Sequence, residues 1–227
     1  MLINQLRSLL SKQINMKKTL LTLLLITSAI SSFAQGTITF NNRVTGSILA
    51  PVYGPDPANQ TLRKSGQSSI GTPAGSQTYG GALLNGTGFS AQLWGGASGT
   101  PVDSLAALSA VTPFRTGAGA GYFTAIADVQ NPSVSAGSVA TIQVRAWDNN
   151  SGQITTWAAA LMGGRAIGAS DAFQTAPLGG NPPGGGLPIT APNLVGLTSF
   201  NLTVVPEPGV IALGVLGLGA LLLRRRK

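Results

Sequence analysis

From Val139 to Asp148 the chain alternates without a break. Ala140, Ile142, Val144 and Ala146 fall on one side, and Thr141, Gln143, Arg145 and Trp147 on the other. Successive side chains of a strand point to opposite faces, so this period predicts a strand with an apolar inner face and a polar outer one. The same period predicts strands at 37–41 (Ile38, Phe40), 88–94 (Phe89, Ala91, Leu93), 122–129 (Phe123, Ala125, Ala127, Val129) and 199–205 (Phe200, Leu202, Val204). Only 103–110 and 157–163 read as short helices. After the best strand, Asp148-Asn149-Asn150-Ser151-Gly152 has turn chemistry and predicts a hairpin with 153–157 as the returning strand. Short strands separated by turn clusters predict an all-β chain, a single antiparallel β-sandwich of jelly-roll or immunoglobulin-like type.

Glycine and proline mark where strands cannot run. Ten of the 18 residues from Thr175 to Pro192 are Gly or Pro. Such a segment supports neither a helix nor a central strand and reads as a long exposed loop. A second, weaker loop spans 51–81, rich in Pro, Gly, Ser and Gln.

The two ends have a different character. Met16-Lys17-Lys18 precedes an apolar stretch at 20–30, followed by Ser31-Ser32-Phe33-Ala34. A charged start, an apolar segment too short to span and a small-x-small site together predict a signal peptide over 1–34. Cleavage is expected after Ala34, leaving Gln35 as the first mature residue, with Met16 as initiator and 1–15 an upstream misreading of the start. At the other end, Pro206-Glu207-Pro208 leads into the apolar run 209–223 and then Arg224-Arg225-Arg226-Lys227. Fifteen helical residues span roughly 23 Å, short of the ~30 Å hydrocarbon core, which snorkelling arginines and local thinning can bridge. The basic groups at both ends predict cytoplasmic termini and an external middle.

The ordered triplet of Pro-Glu-Pro, apolar helix and terminal basic cluster resembles the PEP-CTERM sorting tail of Gram-negative, biofilm-forming bacteria. The resemblance covers 205–227 and implies three things. The tail is recognised by exosortase, a membrane-embedded cysteine transpeptidase. The motif Pro206, Glu207, Pro208 lies at the cut, and Arg224, Arg225, Arg226 and Lys227 act as the membrane stop. The protein is held transiently in the inner membrane and then passes to the cell surface or extracellular matrix.

The ends also explain the charge. The net charge of +8 comes from fourteen basic and six acidic groups, and eight of the basic ones lie at Arg7, Lys12, Lys17, Lys18 and 224–227. The body from 35 to 205 keeps six basic groups against five aspartates and is nearly neutral. It offers no basic stripe for a phosphate backbone, so a nucleic-acid partner is not expected.

The chain contains no cysteine and no histidine. Disulfide staples, thiol nucleophiles, a serine–histidine triad and the commonest metal ligand are therefore excluded. Asp56, Asp103, Asp128, Asp148 and Asp171 stand singly. Lys64, the body's only lysine, lies in polar surroundings that predict no lowered pKa. Gly117-Ala118-Gly119-Ala120-Gly121 leads into a strand rather than a helix, so it reads as a turn and not a phosphate loop. Asp148-x-Asn150-x-Gly152 lacks the closing ligands of a calcium loop. No catalytic, cofactor or metal site is expected. Trp147, on the outer face beside Arg145 and Gln143, is the candidate glycan contact for an exopolysaccharide partner, its alternative being packing against Trp157. The expected function is that of an exported, non-catalytic surface or matrix protein. A carbohydrate-binding module is the alternative, and an extracellular hydrolase the remaining one.

Overall fold

The computed structural model describes residues 35–204. The expected signal peptide (1–34) and transmembrane helix (209–223) lie outside the described residues. Among the described residues no helix is long and apolar enough to cross a membrane.

Among the described residues thirteen strands follow in chain order: β1 (Gln35–Phe40), β2 (Arg43–Val44), β3 (Ile48–Leu49), β4 (Val52–Tyr53), β5 (Phe89–Ala97), β6 (Ala106–Ala107), β7 (Thr112–Pro113), β8 (Ile126–Ser135), β9 (Ala140–Asp148), β10 (Ala166–Ala169), β11 (Phe173–Gln174), β12 (Phe200–Asn201) and β13 (Thr203–Val204). An α-helix, α1 (Trp157–Met162), lies between β9 and β10. The protein is mostly β, and its largest sheet is antiparallel, with β9 and β5 at its centre. β5 and β9 pair along their whole length, with Leu93 opposite Val144 and Ala91 opposite Ala146. β10 and β11 continue β9 on its other edge, and β6 and β7 continue β5.

The inner face follows the alternation. Ala140, Ile142, Val144 and Ala146 are fully buried, with Ala91 and Leu93 across the ladder. They share one core with Ile38 and Phe40 of β1, Val129 and Val134 of β8, and Phe200 of β12. β1 and β8 form their own antiparallel pair. Asn131 Nδ2 of β8 reaches the Gly96 carbonyl of β5 at 3.4 Å. The strand expected over 122–129 departs from its alternation at a bulge. Ile38 faces Val129 but Phe40 faces Ile126, with Asp128 at φ 51° taking up the extra residue. Ala125 and Ala127 are therefore exposed rather than inside.

Other expectations change in the same local way. Residues 153–157 do not return as a strand. Asn150 and Ser151 turn at φ 50° and 55°, and Thr156 caps α1 by accepting the Ala159 N–H at 3.2 Å. The returning strand is β10, which sets Ile167 opposite Trp147. At 103–110 only a single 3₁₀ turn (Val102–Ser104) forms before β6 adds to the sheet. Among the named strands the pairing of β12 on β4 is parallel, with Phe200 beside Val52.

The Gly/Pro-rich segment is partly structural. Leu178 is fully buried, and Thr37 and Gly179 exchange backbone hydrogen bonds at 2.9 Å, so 178–180 extend the β1 edge. The exposed loop is shorter than expected and is crowned by Leu187, 88% exposed.

The 51–81 segment is knitted to the C-terminal strands by polar side chains. Gln67 Nε2 donates to Leu49 O and Thr72 O, while its Oε1 accepts from Ser199 N–H and Oγ–H. Tyr79 stacks on Tyr53 at 4.2 Å and donates toward the Gly66 and Ser199 carbonyls. Lys64 pairs with Asp56 at 3.0 Å, and Arg63 with Asp171 at 2.8 Å. The Lys64 hydrogen bond is the first cause holding the Asp56 carboxyl below its ordinary value, and the Ser65 hydroxyl is the first for Asp171. Both groups ionise more readily folded than unfolded, so the unfolded chain binds more protons in acid. Their contribution is complete above the ordinary carboxylate value and fades as pH falls below it. The melting temperature is expected to fall between about pH 4 and pH 2. Asp171→Asn should flatten that fall, measured by thermal denaturation across pH; an identical pH profile in the variant would remove Asp171 from this role.

Candidate functional site: an arginine between two tryptophans

Trp147 lies on the outer side of β9, as its position in the alternation requires, but that side is covered. It is fully buried, in a small cluster with Ala160 of α1, Ile167 of β10 and the flanking Ile154 and Trp157. Its indole N–H donates to the Ile154 carbonyl at 3.2 Å, and its ring meets Trp157 edge-on, 6.4 Å between centroids at 79°. Trp147 is therefore not a glycan contact but part of a second core. The alternation could not signal this, because the covering element is a helix that arrives from the following connection.

The neighbouring outer-face positions make a different site. In the β5–β9 ladder Gln92 faces Arg145 and Trp94 faces Gln143, all projecting away from the main core. The Arg145 guanidinium stacks over the Trp94 ring at 4.0 Å and stands 5.5 Å from the Trp157 ring. Nε donates to Gln143 Oε1 at 2.8 Å, and an Nη2 hydrogen to the Val102 carbonyl at 3.1 Å. Gln143 is fixed in turn, its amide donating to the Ser170 carbonyl at 2.9 Å. Burial lowers the Arg145 pKa, and Asp103 at longer range acts the other way; a guanidinium stays charged regardless. Among the described residues, Arg145 makes no ion pair, and the Trp94 indole N–H is buried without a hydrogen-bond partner.

In the sequence Arg145 stands out only as a neighbour of Trp147, and Trp94 falls at the end of the strand expected over 88–94. The available signal was the antiparallel register itself, which brings the outward Trp94 beside Gln143 and Arg145.

The remaining candidates are structural. Asp148 Oδ1 accepts the Asn150 N–H at 2.8 Å, and its carboxylate lies 3.6 Å from Arg165. The segment is an Asx turn rather than a calcium loop. Gly117–Gly119 is a 3₁₀ turn before Tyr122. Lys64 Nζ is engaged by Asp56. Among the described residues no group of three or more His, Cys, Asp or Glu side chains could hold a metal ion. Gln35 opens β1, opposite Ser135 of β8. Ala34 lies outside the described residues, as do Pro206, Glu207, Pro208 and Arg224, Arg225, Arg226 and Lys227. An apolar cavity of about 210 Å³ lies elsewhere, among Ile48, Gln67, Pro73, Val195 and Leu197. No protein-family model, curated protein or solved structure matches the chain.

Proposed function

We propose that the chain is an exported, non-catalytic surface or matrix protein, carried across the inner membrane behind a signal peptide at 1–34 and processed by exosortase at Pro206-Glu207-Pro208. The observation that carries this reading is the order of the tail: the motif, the apolar run 209–223, then Arg224–Lys227. A plain anchor needs only the run and the basic cluster, since lipid partitioning does not read Glu207. The same proposal takes the large sheet and the β1–β8 pair as the two layers of a β-sandwich, supported by the core they share. Its non-catalytic part is supported by the state of the aspartates, since Asp56, Asp148 and Asp171 each pair with a cation.

The test is one substitution. In a host carrying exosortase, Glu207→Ala is expected to insert normally, yet to accumulate at full length in the inner membrane while wild type is cut and released. Removing Arg224–Lys227 should impair membrane retention before processing. Immunoblots of membrane and extracellular fractions read both, and sequencing the released wild type should begin at Gln35. Release of the Glu207→Ala protein like wild type would leave only a plain anchor.

A further inference from the structure

We propose that Arg145, held between Trp94 and Trp157, is the recognition residue of a binding site for a carboxylated sugar of an acidic polysaccharide. This goes beyond the export proposal and stands whether or not the tail is cut.

The argument begins with donor capacity. A guanidinium carries five N–H groups. One goes to Gln143 and one to the Val102 carbonyl. Three remain without a protein acceptor among the described residues, divided between Nη1 and Nη2. Asp103 acts on the guanidinium only at longer range and no carboxylate among the described residues pairs with it, so the partial desolvation of this half-buried cation is incompletely compensated. Stacking on Trp94 returns part of that cost. A carboxylate would return more. Its two oxygens match the parallel N–H groups of one Nη1 and one Nη2, the bidentate geometry that arginine forms and lysine does not.

The site is also pre-organised. Gln143 and the Val102 carbonyl hold the guanidinium edge, Trp94 holds its face, and Trp157 is held by the buried Trp147. Little side-chain freedom is left to lose on binding, which favours affinity. Trp147 acts here as a positioning residue, without touching the ligand.

The surroundings select the class of carboxylate. Trp94 and Trp157, both partly exposed, offer indole surface beside the free N–H groups. Indole surface packs well on the C–H face of a pyranose ring. An acidic peptide brings the carboxylate but no such ring. The body's near-neutral charge provides no broad basic field for a polyanion. Recognition therefore rests on a single acidic sugar unit, and binding is expected to survive moderate salt.

The experiment uses the full-length chain in mild detergent with three probes: polygalacturonate, the same polymer with its carboxyls reduced, and poly-aspartate. Titration calorimetry and tryptophan fluorescence read binding. Wild type is expected to bind polygalacturonate at least about tenfold more tightly than the reduced polymer, and more tightly than poly-aspartate. Arg145→Gln should fall to the level of the reduced polymer with an unchanged far-ultraviolet circular dichroism spectrum and a cooperative melt, and Arg145→Lys should lie between. If Arg145→Gln does not fold, competition on wild type decides: galacturonate oligomers should displace the polymer and neutral galactose oligomers should not. Wild type binding none of the probes, or binding the reduced polymer equally well, would overturn the proposal. So would a folded Arg145→Gln with wild-type affinity, or poly-aspartate competing as well as the uronate.

Discussion

Val144→Asp is expected to leave little folded protein at room temperature. Val144 has no exposed surface, lies at the centre of β9 opposite Leu93, and contributes to the core shared with β1, β8 and β12. A carboxylate there has no cation within the core. An unpaired buried charge costs about 3–5 kcal/mol, and the lost apolar burial adds to it. Whole-domain stabilities are about 5–15 kcal/mol, so one substitution removes a large share. Circular dichroism against urea checks this, with Gln130→Asp on the exposed side of β8 as the control, expected to shift stability by no more than about 1 kcal/mol. Thr141 does not serve as the control, although it lies on the outer face. It is buried, and its hydroxyl accepts from the Gly99 N–H and the Gln174 amide, each at 2.8 Å. Comparable urea midpoints for Val144→Asp and Gln130→Asp would contradict the register of β9.

Trp147→Ala should have the second-largest effect, for a different reason. It removes the largest fully buried side chain, together with the indole hydrogen bond to Ile154 and the edge contact with Trp157. Large-to-small changes at buried tryptophans cost about 3–5 kcal/mol. In a domain of this size that lowers the melting temperature by roughly 10 °C. The damage is expected to concentrate in α1 and the 149–165 connection, because the main core does not include Trp147. Hydrogen exchange should show faster exchange at 149–167, while β1 and the centre of β5 keep their protection. Uniform loss of protection would mean that the second core is not an independent unit.

The alternation made β9 and the inner residues of β1 and β5 legible, because one face of each packs on a continuous apolar core. The other face was not legible. Period two says that Trp147 and Val144 point opposite ways, but not that α1 will close over one of them. The bulge at Asp128 was hidden as well, since no glycine marks the left-handed residue there. The 51–81 segment looked like a loop because its order comes from Gln67, Tyr79, Lys64 and Asn201 bonding across the chain rather than from apolar period. The candidate site needs the β5–β9 register, a long-range fact, to place Trp94 beside Arg145. The tail motif, by contrast, is legible only as sequence.

The strand pair β4–β12 has a kinetic consequence. Phe200 and Leu202 are fully buried, and Gly168 leaves room for this strand so closely that a Cβ there would lie 2.4 Å from the Asn201 carbonyl. The contacts that seat it bridge most of the domain, as between Lys64 N–H and Asn201 Oδ1 across 137 residues. Such topologies fold slowly, because the entropy of closing a large loop is spent before the contacts form. A chain that emerges N-terminus first cannot complete its core until nearly all of the domain is out, whether from the ribosome or, on the export proposal above, from a membrane pore. The last strand to appear is thus the one that closes the domain.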